Sequence, residues 1–177
     1  MRKFIGLLAV MGLALLSLAG MASASSNLPN GATITGTGTG VDLGGFINCE
    51  STVRGTVFNK PAGQGIHGII HSATFGPGCT PAGSTATATG LPWTLDVTGS
   101  TNSGSTWDGV VTDVNVDLLV FGQQCRFTGN VGALYENTTM QLTLSGSLTR
   151  QAGSGLLCPE NGTVSGIYHI SPTLTIS

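Results

Sequence analysis

Ala82-Gly-Ser-Thr-Ala-Thr-Ala-Thr-Gly-Leu-Pro-Trp-Thr-Leu-Asp-Val97 is the stretch whose reading decides the fold. Thr85, Thr87 and Thr89 alternate with Ala86 and Ala88, and Trp93, Leu95 and Val97 alternate with Thr94 and Asp96. A period of two is the signature of a β-strand. Gly90, Leu91 and Pro92 interrupt it. Pro92 has no N–H to give to a ladder, so the interruption marks a bulge, an edge or a strand start. One long strand broken in its middle is therefore expected. Trp93 shares a face with Leu95 and Val97, which makes it the expected core anchor of the second half.

The same alternation extends outward in both directions. Strands are expected over residues 32–39, 51–58, 66–75, 125–134, 140–148, 163–170 and 173–176, with Gly, Pro, Asn and Ser clusters between them. Trp107–Phe121 is the longest pattern. It places Val110, Thr112, Val114, Val116 and Leu118 on one face, and Val111, Asp113, Asn115 and Asp117 on the other. No segment sustains a period of 3.6. About nine short strands with turn signals point to an all-β fold, an antiparallel β-sandwich of Ig-like or jelly-roll-like form. Strand order does not follow from the pattern.

Compartment is read from the first residues. Arg2 and Lys3 precede an apolar run from Phe4 to Ala19, and Ala22-Ser23-Ala24 follows as a small-residue cleavage site. This is the pattern of a secretory signal peptide over residues 1–24, leaving residues 25–177 as one domain that begins at Ser25. No second long apolar segment follows, so no transmembrane segment is expected after cleavage. Of six basic residues the leader removes two, leaving four against eight acidic ones, a mature charge of about −4. Binding to nucleic acid needs clustered Lys and Arg, and this chain lacks them.

The four cysteines, Cys49, Cys79, Cys125 and Cys158, all lie in the mature part. An even number in an exported chain reads as two disulfides. Three connectivities are open, and the pairing of sequence neighbours, Cys49–Cys79 and Cys125–Cys158, is favoured. Each closes a loop of about 30 residues and would stabilise by about 3 kcal/mol. A zinc site made from the four thiolates would call for a C-x2-C pair, which is absent.

No catalytic or cofactor set emerges. His67 and His71 share a strand face, but a zinc site would need a third ligand, and only His169 is left. Asp113-Val-Asn-Val-Asp117 resembles the start of a calcium loop, yet Leu118 and Gln124 stand where Gly and Glu are required. There is no G-x-S-x-G motif, and the acids fall in turns or on solvated faces. We expect neither metal nor cofactor, and no enzymatic activity. Trp93, Trp107 and Phe121 are the candidate ligand-contacting residues, because large rings can line an apolar pocket or stack on a sugar.

Gly90-Leu-Pro-Trp-Thr-Leu95 also carries a resemblance. Cys49 precedes Gly55-Thr56, Cys79 lies shortly before Leu91-Pro92-Trp93, Cys125-Arg126 is followed by Gly129, and Gly166 to Pro172 forms a closing Gly-x-Tyr-x-Ile-Ser-Pro segment. In these features the chain resembles small exported bacterial proteins with a GLPW strand, among them alkane-oxidation protein activators. The resemblance implies an exported β-rich protein tied to growth on hydrophobic substrates or to the extracellular matrix. It supplies no catalytic residues. The expected function is that of a non-enzymatic protein at the cell envelope or in the matrix, secreted to the periplasm or beyond. Its expected partners are cell-surface or matrix components. The alternative is a binding module for an apolar small molecule or a glycan.

Overall fold

In a computed structural model, residues 25–177 are described. The leader expected over residues 1–24 lies outside them. The strands are β1 (Ala32–Leu43), β2 (Ile47–Asn59), β3 (Ile66–Phe75), β4 (Thr85–Thr89), β5 (Trp93–Thr101), β6 (Thr106–Val120), β7 (Gln123–Glu136), β8 (Gln141–Arg150) and β9 (Asn161–Ser171). All pairings between them are antiparallel. The segment expected as a last strand over 173–176 instead makes one isolated bridge, Ser26 with Ile176.

The expected sandwich is corrected to a closed barrel. Chain neighbours pair from β1 through β9, with β4 set aside, and β9 then pairs back on β1. The result is an eight-strand up-and-down barrel. Closure satisfies the strand edges that an open sheet would expose. Alternation along a strand is the same whether the sheet folds against a second sheet or against itself, so the strand pattern alone did not distinguish the two.

The broken strand read from sequence is found, and it occupies a single place in the ring. β4 and β5 both pair with the same side of β6: Thr89 lies opposite Asn115, and Thr94 opposite Thr112. The opposite side of β6 carries β7 along its whole length. Several irregularities fall at the level of the break. β6 and β7 shift register between Val111 and Val114, where Asp113 has φ of 60°, and β2 and β3 shift between Arg54 and Gly55. An extra residue bends and twists a strand, and a row of such bends helps a sheet curl into a barrel.

The β6 bulge also corrects the face assignment. Val111, Val114, Val116, Leu118 and Val120 are buried, whereas Val110 and Thr112 are only half-buried. The extra residue at Thr112–Asp113 swaps the parity, so the expected run from Val110 through Leu118 holds only after the bulge.

Apolar side chains fill the interior and Thr, Ser and Asn dominate the exposed positions, as in β1 and β9. This is the reverse of a transmembrane barrel, whose outside is apolar. Among the described residues no helix is long and apolar enough to cross a membrane.

The two ends are closed differently. At one, the first and last described residues meet. Ser177 N donates to Ser25 O, Asn137 Nδ2 donates to Ile176 O, and Ile176 N donates back to Asn137 Oδ1. Tyr135 donates its hydroxyl to Leu174 O beneath them. At the other end lie both disulfides, Cys49–Cys79 and Cys125–Cys158, paired as expected.

Burial pushes the Tyr135 hydroxyl up to about 12 from its ordinary value near 10. Below pH ~10 the phenol is neutral folded or unfolded. Between pH ~10 and ~12 only the unfolded chain ionises, so stability is lost as pH rises. Urea midpoints measured across that window should fall for the wild type and fall less steeply for Tyr135→Phe. Parallel curves would show that Tyr135 does not set the alkaline limit.

Candidate functional site

β6 and β7 meet in a two-residue turn, Phe121-Gly122, with φ of 48° and 75°. Positive φ at both positions is the hairpin geometry that matches strand twist, and glycine takes it without steric cost. Phe121 has a Cβ and takes it regardless. Its ring points outward and stays 82% exposed.

The loop between β8 and β9 stands beside this turn. Arg150 Nη1 donates to Cys158 O, Gly155 N to Gln124 O, and the Cys125–Cys158 disulfide ties the loop to β7. The held loop presents Leu156 and Leu157 to water at 97% and 80% exposure. A groove of about 220 Å3 runs between turn and loop, with Phe46, Val120, Phe121, Leu157 and Pro159 among its walls. Exposed single apolar residues are ordinary on a protein surface, but three large ones on two adjoining, tethered loops make a patch. The sequence pattern did not single out the two leucines. The signal available was an apolar pair standing alone among Gly, Ser and Ala just before a cysteine.

Trp93, Trp107 and Phe121 are not brought together. Trp93 is 5% exposed and donates its indole N–H to Thr89 O across the strand break. Trp107 is buried, and its N–H goes to Gly104 O in the short 3-10 turn Asn102–Gly104. Only Phe121 lies at the apolar end.

Lys60, His67, His71, Asp96, Asp117 and Arg126 sit on the outer wall, partly or fully exposed. Lys60 Nζ lies 2.9 Å from Asp96 Oδ1, and His67 Nδ1 lies 3.2 Å from the same oxygen. The Lys60 hydrogen bond, with lesser help from His67, holds the Asp96 carboxyl below its ordinary value against a desolvation cost. His71 Nε2 is 3.0 Å from Thr56 Oγ1. Asp117 lies 3.6 Å from Arg126 Nε, and Asn115 Nδ2 folds onto Asp113 O. Among the described residues no three His, Cys, Asp or Glu side chains are grouped to hold a metal.

Trp93→Ala should cost about 3–5 kcal/mol, since it empties a large core site. Chemical denaturation with the disulfides intact measures it. A loss under about 1 kcal/mol would reject Trp93 as a core anchor.

A family model described as alkane oxidation protein activator PraA/PraB-like matches residues 1–177. No curated protein and no solved structure matches the chain.

Proposed function

The chain belongs to the PraA/PraB-like alkane oxidation protein activator family, and from that premise we propose that it is an exported, non-enzymatic protein that works by surface association. It acts at the cell envelope or in the extracellular matrix and promotes use of hydrophobic substrates by adhering to their surface. The single observation that carries this reading is the exposed apolar end formed by Phe121, Leu156 and Leu157.

Three features support it. The patch sets three large, mostly exposed apolar side chains side by side, the kind of surface that marks an interaction site. It projects from loops, a shape suited to dipping into a soft apolar phase. Moving each side chain out of water is worth about 1.5–3 kcal/mol, which is enough for reversible adsorption. The Cys125–Cys158 disulfide holds the loop that carries Leu156 and Leu157, and two disulfides fit an oxidising compartment such as the periplasm or the exterior. The leader pattern of residues 1–24 supports export.

Adsorption to hexadecane droplets in water tests the reading. The triple variant Phe121→Ser, Leu156→Ser, Leu157→Ser should keep the wild-type circular dichroism spectrum and adsorb at least about 10-fold more weakly. A correctly folded triple variant that adsorbs like the wild type would remove the apolar end from the mechanism.

A further inference from the structure

We propose that the barrel interior holds a binding site for a small neutral apolar molecule, reached between β3 and β4. The site is separate from the apolar end, so either can fail without the other.

The barrel encloses a cavity of about 40 Å3 with Val111, Val114, Val116, Val131 and Leu142 among its walls. That is room for about three water-sized spheres. Water is nevertheless a poor occupant. A buried water needs two to four polar partners. The two side-chain polar groups in the lining are already engaged: Tyr168 donates its hydroxyl to Ser51 Oγ, and Trp93 donates to Thr89 O. Burial also raises the Tyr168 hydroxyl above its ordinary value, so the wall carries no charge at neutral pH. A void with aliphatic walls and no free donor or acceptor stays dry and accepts apolar guests instead.

The way in follows from the strand pairing. β3 pairs with β5 only from Ile66 to Ile70, and β4 pairs only with β6. From His71 to Phe75, β3 therefore has no ladder to its neighbour on that side. The wall of the ring here is made by side chains, and Phe75 and Trp93 both line the cavity behind it. Elsewhere, opening the ring would break several backbone hydrogen bonds at once. Here it takes rotation of a half-exposed Phe75 and release of one bond, Trp93 Nε1 to Thr89 O. The chemical class that fits is a neutral apolar guest of one or two heavy atoms, no larger than the end of an alkyl chain.

Xenon and then methane, titrated into the intact protein with labelled Val and Leu methyls, test the site by NMR. Saturable shifts should appear at Val111, Val114, Val116, Val131 and Leu142. The double variant Val116→Ile, Val131→Ile fills space and should weaken binding at least about 10-fold without lowering the denaturation midpoint. Trp93→Phe removes the bond at the opening and should speed guest exchange several-fold. Shifts that do not saturate, or that gather around Phe121 and Leu157, would overturn the site. Equal binding by the filled variant would also overturn it, and an unchanged exchange rate in Trp93→Phe would overturn the route.

Discussion

The whole barrel depends on β6 being hydrogen-bonded along both of its sides. One side takes β7 from Thr106 to Val120. The other takes two strands in succession, because β4 and β5 are the halves of one interrupted run. A continuous strand would have to follow β6 across its bulge at Asp113. The interruption at Gly90–Pro92, with Gly90 at φ of 64°, lets each half keep its own register. Trp93 then holds the halves together through Thr89 O. Without this arrangement β6 would be an edge, and the ring could not close.

Closure explains how so weakly charged a chain arranges its surface. With strand edges mostly paired, the backbone is largely satisfied and the outside can be plain Thr and Ser. The exceptions are a stretch of β3 with no ladder on one side and an apolar end pinned by the Cys125–Cys158 disulfide. These two places carry the functional proposals. They share a physical reason: each is where the regular ladder stops and side chains alone form the surface.

Most strands were legible because alternation is a local property. Ile66–Phe75 was read with its observed bounds, and the break at Gly90–Pro92 was read from one proline. Barrel closure was not legible, since it rests on β9 returning to β1, a pairing between residues more than a hundred apart. The β6 faces were misassigned because a bulge adds one residue, and nothing in Val110–Val114 announces it. The disulfide pairing followed from sequence proximity. The apolar end was half legible: Phe121 was named, while Leu156 and Leu157 acquire meaning only once the Cys125–Cys158 bridge sets them beside it. The interior cavity left no sequence signal, since the valines around it look like any core.

Amide hydrogen exchange along β6 tests the closed ring most directly. Successive N–H groups of a strand point to opposite sides. Those facing β7 and those facing β4 and β5 should therefore be protected alike from Trp107 to Leu119, apart from the bulge at Thr112–Asp113. Protection at every second residue only, with the others exchanging at the rate of an open edge, would contradict the barrel.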